Sequence, residues 1–442
     1  MAPAAPFDYP GALEYIASTG RFGIKMGLER TRALLDEVGA PDRGLKGVLV
    51  GGTNGKGSTC AFLAAILRTS GLRVAEMPKP HLVSYTERVV LDGRPITEAD
   101  FAHAVSEMVS AVERVTPGFG SPTEFEILTA LALRYARDQG AGVLVCEVGM
   151  GGRLDATNIT DLGVKVITSI ALDHQQYLGD TIAAIAGEKA GIIHPGDLVV
   201  TGELPPEALE VVLQKCAAVG AELILSGRDF AAVDVRPSWT GTTLGFEAST
   251  PGWLRSVPHL ETSLLGDYQA RNAAVAVAAA QAVARRHAFS VVERDIREGC
   301  AAARWPGRLE RFAGSPDVVV DGGHNPAAVA TVVAAIEALG TGRPPVVLFG
   351  AMADKDVDGM LRRLPRTWPA VFTQVVDARA ISAGKLLGAA VALGRVGDSA
   401  APDTTVALGM ARQMAGEAGM VVVLGSLYLA GAVRHVLTAA GG

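Results

Sequence analysis

"VLVGGTNGKGSTCAFLAAILRTSG", residues 48–71, runs from an apolar strand through a glycine-rich turn with one lysine into an amphipathic helix that Gly71 ends. A triphosphate site needs that order. Glycines let backbone N–H groups approach the oxygens, the helix N-terminus adds positive potential, and Lys56 offsets charge on the β- and γ-phosphates. The match to G-x-x-x-x-G-K-[ST] is imperfect, because Val50 stands at the first glycine position and Gly57 separates Lys56 from Ser58. Gly51 and Gly52 can serve the turn, and Ser58 or Thr59 can reach a magnesium ion. The bland alternative is a glycine-rich strand-to-helix turn with no ligand.

Outward from this stretch the same alternation continues. "GVLVCEVG", "GVKVITSI" and later "PDVVVDGG" followed by "NPAAVATVVAAIEALG" read as continuous apolar strands between alanine-rich helices. Such strands belong to parallel sheets covered on both faces, so the fold class is α/β. Between about Phe230 and Pro258 the texture turns to Thr, Gly, Trp and Pro, which predicts a small β excursion before the helix "NAAVAVAAAQAVARRH". A domain boundary is expected near Ala302, giving domains 1–301 and 302–442.

Composition narrows the function classes. The chain has 442 residues, 49% of them hydrophobic, enough to bury two or three cores. Its net charge is −6 and its 40 Lys and Arg are dispersed, so no nucleic acid is expected as a partner. The apolar stretch Ala418 to Val433 is broken by glycines and too short to span a bilayer, and "MAPAAPFDYP" lacks the pattern of a secretory signal. No membrane partner and a cytoplasmic location are the expectations. Cys60, Cys146, Cys216 and Cys300 are far apart with no CxxC pair, which predicts reduced, mostly buried thiols.

Later strand ends carry further chemistry. Open α/β sheets bind ligands outside the carboxyl ends of their strands. Glu147 stands there in "VLVCEVG", as a candidate magnesium ligand or as the ion-pair partner of Arg153. Asp173 and His174 leave the next strand; a lone histidine is more often structural. Lys189 lies on a helix further on and would ordinarily be a solvated charge. In the C-terminal part, Asp321 of "VVVDGGHNPAAV" can accept from a ribose or a base, or can, with Asn325, simply form the turn and cap the helix.

Taken together, "GTNGKGST", "PHLVSYTERV", "TEFE", "EVGMGGRLDATN", "TSIALDHQQYLGDTIAAIAGEKAGIIHPG", "WPGRLE", "DGGHNP", "DKD" and "GSLYLAG" resemble the folylpolyglutamate synthase and dihydrofolate synthase family of Mur-type ligases, in order from about Met26 to Val433. The resemblance implies an N-terminal P-loop ATPase domain with a mainly parallel sheet and a smaller C-terminal Rossmann-like α/β domain, with ATP between them. It implies that a substrate carboxylate attacks the γ-phosphate and that the amino group of L-glutamate captures the acyl phosphate. The substrates would be dihydropteroate or a reduced folate, L-glutamate and ATP, handled by a monomer.

By motif, Thr53, Asn54, Gly55, Lys56, Gly57, Ser58 and Thr59 would hold the phosphates, with Ser58 and Glu147 on one magnesium ion. His174 resembles a ligand of a second magnesium ion, and Lys189 in "GEKAGI" matches a lysine carried as a carbamate; a monovalent cation is also implied. Asn272, Arg308, Asp321 and His324 match nucleotide contacts. Met26, Gly27 and Leu28, Pro80 and His81, Thr123 and Phe125, and Arg153, Leu154, Asp155 and Ala156 correspond to segments that shape the pterin and acyl pocket.

One departure falls in "EMPKPHLVSY", residues 76–85. The family usually has Thr-Ser-Pro-His-Leu where this chain has Pro78-Lys79-Pro80-His81-Leu82, and that serine resembles a magnesium ligand. A protonated lysine has no lone pair for a metal. Lys79 can instead contact the γ-phosphate or acyl phosphate, pair with Glu147 or Glu76, or bend to solvent. Competing functions are a paralogue amidating another carboxylic acid, and a P-loop kinase or nucleotide-binding regulator that makes no amide.

Overall fold

The computed structural model describes residues 6–20, 27–250 and 252–440. By its internal packing the chain divides into two compact units. One comprises residues 1–233, 245–260 and 271–302, the other residues 234–244, 261–270 and 303–442.

The first unit is built on an eight-stranded sheet in the order Arg94–Pro95, Val90–Leu91, Val74–Met77, Val143–Glu147, Gly47–Gly51, Gly163–Ile167, Leu198–Thr201 and Glu222–Leu225. From Val74–Met77 to Glu222–Leu225 every pairing is parallel; the two short edge strands run antiparallel. The central strands are buried along their whole length, as continuous apolar runs demand. Gly47–Gly51 lies between Val143–Glu147 and Gly163–Ile167, with Val50 opposite Glu147 and Gly51 opposite Ile167. That register brings the phosphate-loop sequence, Glu147 and the loop after Ile167 to the same sheet edge. Helix Lys56–Thr69 packs on the sheet strands, and Ile127, Leu128 and Leu131 of helix Glu124–Asp138 join the buried core that contains Leu49 and Leu144.

The β excursion forms a three-stranded sheet of Phe230–Ser238, Gly241–Ala248 and Val257–Thr262, followed by the helix Asp267–His287. The second unit contains a six-stranded sheet in the order Glu310–Phe312, Asp317–Val320, Met420–Leu424, Val346–Phe349, Ala370–Phe372 and Ser399–Ala400, parallel except for its first strand. Its core of Val319, Val347, Phe349, Phe372 and Val422 is closed by helices such as Pro326–Leu339. The four cysteines are free and buried. Among the described residues no helix is long and apolar enough to cross a membrane.

Candidate functional site

The loop between Gly47–Gly51 and the helix Lys56–Thr69 is held from the side. The Thr53 N–H donates to the Ser169 carbonyl at 2.7 Å, and the Asn54 carbonyl accepts from the Thr168 and Ser169 hydroxyls at 2.7 and 3.0 Å. Gly55 precedes the helix with φ of 84°, in the left-handed region, and supplies no side-chain cap. A Cβ there would lie 2.5 Å from Oδ1 of Asn272, so glycine is required by both its backbone and its neighbour. Asn272, a predicted nucleotide contact, thus packs against the loop. The first N–H groups of the helix have no side chain at Gly55 to satisfy them, which is the condition for binding an anion there.

Two lysines converge on this loop. Lys56 Nζ donates to the Gly52 and Thr53 carbonyls at 3.1 and 3.0 Å, and Lys189 Nζ donates to the same Gly52 carbonyl at 2.9 Å. Lys189 is buried rather than solvated. Burial, reinforced by the Lys56 charge, pulls its ammonium down to about 7, with Asp173 and Asp155 opposing. At neutral pH much of it is therefore a free amine.

Glu147 is buried at the end of its strand. Its Oε2 accepts the Lys79 N–H at 3.1 Å. The expected alternative partner, Arg153, is engaged elsewhere, with Glu188 Oε1 at 3.1 Å and the Gly187 carbonyl at 3.1 Å. Ser58 is buried at the start of the loop helix, and Thr59 Oγ1 is buried with no hydrogen-bond partner among the described residues. Hydroxyl and carboxylate oxygens of this kind suit a hard cation. His174 takes φ of 51° and caps Gln175–Leu178, with its N–H on Asp173 Oδ1 at 2.9 Å. A histidine in that backbone region is uncommon and often marks a functional turn. Among the described residues no three His, Cys, Asp or Glu side chains form a metal cluster by themselves.

Lys79 corrects two of its expected positions. Its Nζ is not in solvent: it is buried 4.4 Å from the centroid of the Phe125 ring and, among the described residues, has no carboxylate or other hydrogen-bond acceptor. Glu76, the other expected partner, pairs with Arg68, and burial pushes its carboxyl up to about 7 against that pairing. Behind Lys79, the His81 ring lies tilted against Tyr85 with centroids 4.3 Å apart and accepts at Nδ1 from Arg88 at 2.8 Å. Burial and the Arg88 charge hold His81 down at about 4, a neutral ring.

The pocket segments divide by their bonds. Asp155 is buried and committed to its own loop, accepting the N–H groups of Gly149, Met150 and Thr157. Leu154 is exposed, Pro80 is exposed, Ala156 is buried, and Gly27 and Leu28 are half-buried before the helix Glu29–Glu37. Met26 lies outside the described residues. Thr123 caps the helix Glu124–Asp138 and shares the Glu126 carboxylate with Arg30 and Thr31. Glu126 was not singled out in the sequence; its capping-box spacing from Thr123 is the signal that marks it.

In the second unit Asp321 spends both oxygens on backbone, Oδ2 on the Leu309 N–H at 2.9 Å and Oδ1 on the Gly323 N–H at 2.7 Å. Its burial raises the carboxyl, with Arg308 opposing. Asn325 caps Pro326–Leu339 through the Ala328 N–H. His324 Nδ1 lies 2.9 Å from the Gly322 carbonyl, and Arg308 Nη1 donates to the Gly307 carbonyl at 2.9 Å.

Comparison with known proteins bears on both units. Residues 50–280 match the Mur ligase middle domain and residues 307–427 the Mur ligase glutamate ligase domain. Folylpolyglutamate synthase of Lacticaseibacillus casei is 36% identical over 432 residues, covering 97% of this chain and 99% of that one. The dihydrofolate synthase/folylpolyglutamate synthase of Bacillus subtilis strain 168 is 32% identical, again over 97% of this chain and 99% of its own. Mycobacterium tuberculosis folylpolyglutamate synthase complexed with ADP and AMPPCP superposes with a TM-score of 0.89 at 31% identity, over 97% and 99% of the two chains. An FPGS–AMPPCP–folate complex superposes at 0.84 with 36% identity, over 98% and 100%.

Proposed function

Since the chain belongs to the folylpolyglutamate synthase and dihydrofolate synthase family of Mur ligases, we propose that it is an ATP-dependent ligase joining L-glutamate to dihydropteroate, to reduced folates, or to both. A carboxylate oxygen of the acid attacks the γ-phosphorus and ADP leaves. The glutamate amine then attacks the acyl carbon, loses a proton and expels phosphate, leaving an amide. A carboxylate has no usable leaving group until it is phosphorylated, and the phosphoryl step depends on positioning and charge neutralisation.

The observation that carries this assignment is the convergence of Lys56 and Lys189 on the Gly52 carbonyl beside an uncapped helix N-terminus. Lys56 serves the β- and γ-phosphates, Gly55 to Ser58 present backbone donors, and Asn272 fixes the turn. Ser58 and Glu147 would hold a magnesium ion, which supplies further charge neutralisation at the phosphates. The free-amine form of Lys189 can add to carbon dioxide: an N–C bond forms, a proton leaves, and an anionic oxygen ligand replaces an ammonium. With His174 it would hold a second ion. Arg308 and His324 are assigned to the nucleotide, with Asp321 holding the turn that carries His324, and residues 302–442 to the ligase domain.

Release of ADP tests the assignment. It should require both an acid, dihydropteroate or tetrahydrofolate, and L-glutamate. Release with the acid alone, together with a stable phosphorylated product, would favour a kinase.

A further inference from the structure

Resting on the ligase assignment, we propose that Lys79 anchors the carboxylate to be activated: its ammonium donates to an anionic oxygen of the bound acid and of the acyl phosphate made from it. The main chain at Lys79 is fixed, because its N–H is held by Glu147 and prolines flank it on both sides. The ammonium at the end of that fixed segment is shielded from water and, among the described residues, has no acceptor, although it carries three N–H donors. It lies over the face of Phe125, which attracts a cation but accepts no conventional hydrogen bond. A buried donor left unsatisfied is costly, so the arrangement favours an incoming anion.

Among the described residues no carboxylate is hydrogen-bonded to that ammonium, and Glu147 takes the Lys79 main-chain N–H instead. Glu76 pairs with Arg68, Glu126 with Arg30, and Asp155 with its own loop. Glu124 accepts from Tyr85 and faces Arg88. The triphosphate already has a cation of its own, since Lys56 stands at the phosphate loop beside the uncapped helix N-terminus. The acid is the ligand still lacking one. An anionic carboxylate must approach an anionic phosphate, and a cation on the acid's side reduces their repulsion. Phe125 adds a flat apolar wall suited to an aromatic acid, held closely enough that a Cβ on Gly149 would lie 2.7 Å from the ring.

Equilibrium titration of the full chain with dihydropteroate and with its uncharged carboxamide reads the contact directly. The unmodified chain should bind the acid about tenfold more tightly than the amide, as a charge-assisted bond predicts. Lys79→Met should bring that ratio close to one by weakening the acid alone, Lys79→Arg should retain a preference for the acid, and affinity for AMPPCP should be unchanged in both. Should Lys79→Met not fold, Lys79→Gln carries the same comparison. An acid-to-amide ratio that survives in Lys79→Met overturns the proposal. So does an equal loss of AMPPCP and acid binding, which would put the charge on the phosphates. An unmodified chain that binds neither dihydropteroate nor tetrahydrofolate would overturn the ligase assignment itself, and this proposal with it.

Discussion

The chain makes the same local structure twice, a buried strand leading through a glycine turn into a helix, at Gly47–Thr69 and at Asp317–Leu339. In the second, the polar groups are largely consumed from within. Asn325 caps the helix and Asp321 gives both oxygens to the N–H groups of Leu309 and Gly323. In the first, the helix starts from an uncapped Gly55, and the amino groups of Lys56 and Lys189 crowd one carbonyl with, among the described residues, no carboxylate hydrogen-bonded to either. A turn whose donors are satisfied internally is built to hold shape. A turn that leaves donors and positive charge facing one spot is built to receive an anion.

Substitutions sharpen that contrast. The largest effect should be at Lys56: Lys56→Met should lower ATP turnover by about 10²-fold or more while melting changes little. A melting loss as large as that of Asp321→Ala would erase the distinction between the turns. Next comes Lys189. Its amine titrates near 7 and only the unprotonated form takes up carbon dioxide, so turnover at a fixed bicarbonate concentration should rise with pH through about 7. Removing bicarbonate should lower it reversibly; turnover indifferent to bicarbonate would rule out the carbamate.

In the second turn stability should respond instead. Asp321→Ala leaves two backbone N–H groups without their acceptor and should cost about 2 kcal/mol in chemical denaturation. Asn325→Ala removes a helix cap and should cost about 1 kcal/mol, with ATP turnover nearly unchanged. If Asn325→Ala instead abolished turnover with full stability, Asn325 would serve the ligand rather than the helix it caps.

The α/β fold was legible because each central strand is an unbroken apolar run and each turn carries its glycines in sequence. The strand-end placement of Lys56 and Glu147 followed from the same pattern. What the sequence left hidden depends on register between distant strands. Only the pairing of Gly51 with Ile167 carries Thr168 and Ser169 to Asn54. Likewise Lys79 meets Phe125 across more than forty positions of sequence, with no local pattern to announce it. For Lys189 the helix position suggested solvent and only the motif suggested otherwise; its burial against Gly52 supplies the physical reason.

Mass spectrometry of the products formed from dihydropteroate, tetrahydrofolate and L-glutamate with magnesium and ATP tests the central claim most directly. The account predicts an acid heavier by one or several glutamyl units, with one ADP and one phosphate released for each. A phosphorylated acid that carries no glutamate, or ATP consumed while both acids stay unchanged in mass, would contradict it.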